Sequence, residues 1–216
     1  MTLPLEPGPP MESRRVLSID SAYDEDTVEI QRMRDSLYAG LGGRVVRFGR
    51  TLTERATVLS ALQNADAEER PFSTILVTSH GEPSRVLDTN SPKGVLLADD
   101  FPEDELRVWA TNRSLFFMCC DTGAGPLLSR LASLGARLVV GFEGKPRWHS
   151  SEGRQRWREF DAEIVGAVIE TPEAKVLDEI RARWLGLIEG WLVTAPPGYG
   201  QDLRDMRQTL GTMVIL

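Results

Sequence analysis

Five short apolar runs recur along the chain, with room for a helix between most neighbours. Val16-Leu17-Ser18-Ile19 is the first, Val45-Val46-Arg47-Phe48 the second and Thr74-Ile75-Leu76-Val77-Thr78 the third. The third is β-branched and almost continuously apolar, as a parallel strand covered on both faces must be. Ser114-Leu115-Phe116-Phe117-Met118-Cys119 and Arg137-Leu138-Val139-Val140-Gly141-Phe142 complete the set. Between the first two, Ile30, Met33, Leu37 and Leu41 recur at helical spacing up to Gly42-Gly43. After the second, Thr51-Leu52-Thr53-Glu54 fits a capping box that opens a helix burying Val58, Leu59 and Leu62. A helix carrying Leu127, Leu128, Leu131 and Leu134 follows the fourth run and stops at Gly135.

Two stretches depart from this alternation. From Glu82 to Asp100 the chain turns polar around a short Val95-Leu96-Leu97 run, with Pro83, Asn90, Pro92 and Gly94 nearby, which predicts a hairpin-like excursion beyond the sheet. Pro102 followed by Glu103, Asp104 and Glu105 then starts a short helix. Past the fifth run, Trp157, Phe160, Ile164, Val165 and Val168 mark a long amphipathic helix, and Pro172 precedes another with Leu177, Ile180, Trp184 and Ile188. Pro196-Pro197-Gly198 breaks the pattern, and Thr212 to Leu216 predicts a last strand. Strands separated by helices imply right-handed crossovers. The expected fold is α/β, with a mostly parallel central sheet of about six strands and helices on both faces.

Composition narrows the function classes. At 216 residues the chain fits one domain, residues 13–216, behind a leader over 1–12 whose prolines (Pro4, Pro7, Pro9, Pro10) suit neither helix nor ladder. Hydrophobic residues at 41% exclude whole-chain disorder. With 32 acids against 25 bases the net charge of −7 offers no field for a phosphate backbone or an anionic bilayer, so neither nucleic acid nor membrane is an expected partner. No signal peptide or membrane span is legible, which predicts a cytoplasmic protein.

In open α/β sheets the chemistry gathers beyond the carboxyl ends of the strands, and there the third and fourth runs deliver His80 and the pair Cys119-Cys120. Adjacent cysteines could close only a strained ring, so both read as thiols. A thiolate nucleophile needs a base, oxyanion donors and access to substrate. His80 can be the base if the two strands are neighbours. Gly81 permits close backbone approach, and its amide together with that of the cysteine suits an oxyanion. The helix starting near Gly125 would turn its positive end to the thiol. Side chains alternate along a strand, so only one of Cys119 and Cys120 can face the cleft. Each feature also has a plainer reading, a turn at His80-Gly81 and a packed strand thiol. Competing motifs fail: Leu128 stands where a third glycine of a dinucleotide loop belongs, and Gly125 and Pro126 stand where a phosphatase loop needs arginine. The only other histidine, His149, reads as an exposed loop residue with no ligand cluster around it, so no metal or other cofactor is expected.

Ile75 to Gly81, Leu115 to Gly123 and Leu134 to Gly141 together resemble the caspase-related CHAT peptidases. Their pattern is a strand ending in His-Gly, a strand ending in Ala-Cys-Glu-Thr-Gly, and a helix followed by Gly-Ala-Arg and a strand. The motifs span Ile75 to Phe142, and the order of elements extends the likeness over Arg15 to Leu192. The resemblance implies a caspase-like three-layer sandwich and a cysteine endopeptidase. Cys120 matches the nucleophile because Asp121-Thr122-Gly123 follows it, His80 matches the base, and Cys119 takes the family's small-residue position. The amides of Gly81 and Cys120 would hold the oxyanion. A Trp-containing segment after the fifth strand marks the family. Here Glu143 to Trp148 departs from the usual spacing, with Arg147 and Trp148 as substrate-side candidates. In related folds the loop after the first strand lines the pocket for the residue before the scissile bond. Asp20 there, ahead of Asp24, Glu25 and Asp26, would favour a basic residue, whereas Met118 would make the pocket apolar. The implied setting is a regulated bacterial protease of a defence or signalling system, acting on a protein substrate and switched on by an activating protein or neighbouring module. Residues 212–216 would form an edge strand for a homodimer or a partner. The alternatives are a catalytically silent caspase-like interaction scaffold and a nucleotide-binding α/β domain.

Overall fold

The computed structural model describes residues 14–20, 44–49, 54–87, 94–144, 151–171, 175–194 and 199–216, together with Val28, Gln31, Arg32, Arg34 and Tyr38. Along the chain come β1 (Val16–Asp20), β2 (Val45–Gly49), α1 (Arg55–Ala67), β3 (Thr74–Thr78), β4 (Gly81–Glu82), β5 (Arg85–Leu87) and β6 (Val95–Ala98). They are followed by α2 (Glu103–Ala110), β7 (Ser114–Met118), α3 (Leu127–Ser133) and β8 (Leu138–Phe142). The last elements are α4 (Ser151–Glu170), α5 (Val176–Thr194), α6 (Gly200–Gly211) and β9 (Met213–Ile215).

The central sheet has six strands in the order β2-β1-β3-β7-β8-β9, with β9 antiparallel to β8 and the other pairs parallel. Its two faces follow from side-chain alternation. Leu17, Ile19, Ile75, Val77, Leu115 and Phe117 pack with Val58, Leu62, Leu106, Trp109, Leu127 and Leu131 of α1 to α3. Val16, Leu76, Phe116, Val140 and Phe142 point the other way, onto Phe160, Ile164, Trp184, Ile188 and Met206 of α4 to α6. The result is a three-layer α/β sandwich. Trp184 anchors the second layer: its ring stacks 6.0 Å from Phe142, and its indole N–H donates to the Phe160 carbonyl at 2.9 Å. The polar stretch after β3 forms a separate three-stranded sheet, β4-β5-β6.

Some local expectations change. Glu54, expected inside the capping box, stands at the N-cap of α1 and makes no side-chain cap bond, while Thr51 lies outside the described residues. Helix α6 is not predicted by the sequence pattern, because Leu203, Met206 and Leu210, although at helical spacing, stand in a strongly polar segment whose buried face also takes Asp202, Asp205 and Thr209. The leader over 1–12 and most of the helix expected between β1 and β2 lie outside the described residues. Among the described residues no helix is long and apolar enough to cross a membrane.

Candidate active site

Strands β1, β3 and β7 end level with one another, since Asp20 pairs with Thr78 and Thr78 with Met118. Because β3 and β7 are hydrogen-bonded neighbours, their extensions carry His80 and Cys120 to adjacent positions, each beyond the last paired residue of its strand. Both residues are half-buried.

The two cysteines divide as alternation requires. Cys119 continues the parity of Phe117 into the α1–α3 layer, is 1% exposed, and lies 3.6 Å from the Val77 carbonyl, to which its thiol donates. Burial pushes its pKa well above the ordinary thiol range, so it stays protonated and unreactive. Cys120 is left as the thiol at the strand end. A thiol whose folded pKa is raised contributes its full stability below its unfolded pKa, about 8.5, and loses it as pH rises above that. Urea-unfolding free energies are therefore expected to fall by up to about 1.4 kcal/mol per pH unit above that point, and Cys119→Ala should flatten the dependence. Equal slopes in the two proteins would count against the assignment.

Backbone packing ties His80 to the cysteines. A side-chain carbon placed on Gly81 would lie 2.4 Å from the Cys120 carbonyl oxygen and 2.8 Å from Cys119 Cβ, so only glycine allows the loop after β3 to lie on the end of β7. The Leu87 N–H donates to the His80 carbonyl at 3.0 Å, and the Ser79 hydroxyl donates to the Leu87 carbonyl at 2.6 Å. That first bond makes Gly81/Val86 the non-hydrogen-bonded kind of antiparallel pair, so the Gly81 amide points out of the β4–β5 hairpin. Further along, Gly125 meets Pro83 so closely that a side-chain carbon would be 1.9 Å from its carbonyl oxygen.

The turn after Cys120 is specified just as tightly. Asp121 has φ 57°, in the left-handed region, and a 3-10 turn over Thr122–Ala124 follows. Helix α3 starts at Leu127 with Pro126 at its N-cap, close to the start expected near Gly125, and this short turn stands between it and Cys120 in the chain. Thr122 is fully buried, and its hydroxyl donates to the Cys119 carbonyl at 3.2 Å. It fits because Gly141 of β8 is bare: a side-chain carbon there would stand 2.7 Å from Thr122 Oγ1. A glycine inside a strand marks such an approach, and Gly141 was the signal in the sequence that could have identified Thr122.

The substrate-side candidates fare differently. Asp20 is buried, and its carboxylate already accepts from Ser18 at 3.0 Å, from Arg47 at 3.1 Å and from Arg34. Asp20 therefore meets two guanidinium groups of its own chain instead of an open pocket, and the basic preference expected from it loses its physical basis. Met118 is half-buried against the α4–α6 layer. Arg147, Trp148, His149, Asp24, Glu25 and Asp26 lie outside the described residues.

A cleft of about 750 Å³ opens at the opposite end of the sheet, where Ser73, Arg113 and Arg137 precede β3, β7 and β8. Arg113 there donates to the Val108 carbonyl at 2.5 Å and pairs with Asp66 at 2.5 Å, work that closes the end of α2 and joins it to α1. Among the described residues no group of three or more His, Cys, Asp or Glu side chains is placed to hold a metal ion. No protein-family model matches the chain, and no curated protein matches it.

Proposed function

We propose that this chain is a cysteine endopeptidase of the caspase-like CHAT kind. The observation that carries the reading is the seating of the His80-Gly81 backbone against the Cys120 carbonyl at the ends of two adjacent parallel strands. In this mechanism the His80 imidazole takes the proton of the Cys120 thiol, and the thiolate attacks the carbonyl carbon of a peptide bond. The carbonyl electron pair moves onto oxygen, where the amides of Gly81 and Cys120 hold it. As the C–N bond breaks, the imidazolium gives its proton to the leaving amine. Water, deprotonated by His80, then cleaves the thioester and restores the thiol.

Two features support the family reading beyond the dyad. Thr122-Gly123, which matches the family's Thr-Gly after the nucleophile, forms a turn seated by the buried Thr122, and the last strand joins the sheet edge after the last helices. The reading gives the protein a cytoplasmic setting in a regulated bacterial defence or signalling system, with an activating protein or neighbouring module and a protein substrate. It also gives β9 a docking role. Leu216 and Thr212 pair with β8, so the amides of Met213 and Ile215 point outward from the edge. Light scattering is expected to give the mass of two chains, reduced to one by Ile215→Pro. A single-chain mass at high concentration would leave the edge to a different partner.

The direct test incubates the purified chain with the proteins encoded beside its gene. New termini are expected, lost in Cys120→Ala and His80→Ala and kept in Cys119→Ala. Neighbours that bind without being cut, or cuts that persist in Cys120→Ala, would favour the silent scaffold.

A further inference from the structure

We infer that the C-terminal strand β9 is a positioning element for the nucleophile, with Val214 holding the turn on which Cys120 stands. The inference rests on the reading of Cys120 as nucleophile and adds a residue far along the chain to its machinery.

Asp121 adopts φ 57° and ψ 3° immediately after Cys120. Aspartate enters this region more readily than most side chains, and its neighbours fix it there. Three contacts do so, and two of them lead to the end of the chain. The Asp121 N–H donates at 3.0 Å to the carbonyl of Gly144, itself at φ 133°. The residue before it, Glu143, donates its N–H at 2.8 Å to the Thr212 carbonyl at the entry to β9. Independently, Gly123 lies directly on Val214, with its absent side-chain carbon only 2.9 Å from Val214 Cγ2 and 3.0 Å from the Phe142 carbonyl carbon. The third contact is the Thr122 hydroxyl on the Cys119 carbonyl, admitted by the bare Gly141, which is the cross-strand partner of Val214. The turn therefore sits on a patch of β8 and β9 made flat at Gly141 and bounded by Val214.

Alternation along β9 supplies an internal control. Val214 packs on the α1–α3 side, where the turn lies, whereas Met213 and Ile215 pack on the α4–α6 side. Loss of side-chain volume at 214 and at 215 should weaken the fold similarly, but only the first should let the Cys120 turn shift relative to His80.

The experiment measures iodoacetamide alkylation of Cys120 in the full chain from about pH 6 to about pH 9, with the modified residue located by mass spectrometry. The unaltered chain is compared with Val214→Ala, the near-isosteric Val214→Thr, Ile215→Ala and His80→Ala, each checked for cooperative thermal unfolding. Val214→Ala is expected to change the rate at neutral pH by about tenfold and to displace the midpoint of the profile, because small misplacements of a paired thiol act strongly on its reactivity, whereas Val214→Thr, which keeps the volume on which Gly123 rests, should bring both back toward those of the unaltered chain. Ile215→Ala, which keeps the outward backbone amide of the edge, should leave rate and midpoint within about twofold. A folded Val214→Ala chain whose profile coincides with that of the unaltered chain would overturn the inference. If His80→Ala also leaves the profile unchanged, the dyad itself fails; if His80→Ala displaces it and Val214→Ala does not, only the role of β9 falls.

Discussion

Alanine in place of His80 is expected to slow peptide cleavage by about 10²- to 10⁴-fold, the usual worth of a positioned general base and acid. The loss should not be complete. A thiol without its base still forms a little thiolate, so a slow residual rate should remain. The leaving amine also loses its proton donor in this variant, which places the defect mainly in kcat. Cys120→Ala removes the bond-forming atom and should reduce the rate to background at every pH. Cys119→Ala, which alters only a packed thiol turned into the α1–α3 layer, should retain most of the activity. A rate in His80→Ala within about threefold of the unaltered protein would be too small a loss for a general base.

Gly81→Ala should do nearly as much damage by a different route. The added carbon would fall 2.4 Å from the Cys120 carbonyl oxygen and 2.8 Å from Cys119 Cβ. One is backbone and the other the first carbon of a buried side chain, so neither can swing aside as the tip of a long side chain would. The loop after β3 must move away from the end of β7. Overpacking of this kind costs about 1–3 kcal/mol, and a displacement of about 1 Å between base and nucleophile lowers the rate about 10²-fold. Gly186→Ala makes the contrast. A carbon there meets nothing within 4 Å on the exposed face of α5, and alanine in a helix interior stabilises by about 0.5–1 kcal/mol over glycine. Urea-unfolding midpoints should therefore move in opposite directions for the two variants. A Gly81→Ala protein as stable and as active as the unaltered one would mean that the two loops are not pressed together.

Much of this arrangement is legible in the sequence because buried parallel strands must be apolar on both faces. β3 was readable residue for residue from Thr74 to Thr78, and its abrupt end put His80 at the edge where chemistry collects. Parity along β7 says that only one of Cys119 and Cys120 can face the cleft, and Asp121-Thr122-Gly123, through the family resemblance, points to Cys120. What stayed hidden depends on contacts between distant segments. Asp20 reads as an open acid at a strand end, since nothing local shows that Arg34 and Arg47 converge on it. Helix α6 hides because few apolar side chains carry its period and two aspartates share their buried face. The seat of the Cys120 turn is invisible for a third reason. Gly123, Gly141 and Val214 become neighbours only once β9 closes the sheet, and although Gly141 inside a strand marks a close approach, nothing local says which segment makes it.

The most direct test of the His80–Cys120 dyad is covalent labelling by a peptidyl acyloxymethyl ketone, with the modified residue located by mass spectrometry. The account predicts one label per chain on Cys120, none on Cys119, and labelling slowed by about 10²-fold or more in His80→Ala under the same conditions. Labelling of Cys119, or labelling of Cys120 at an unchanged rate without His80, would contradict it.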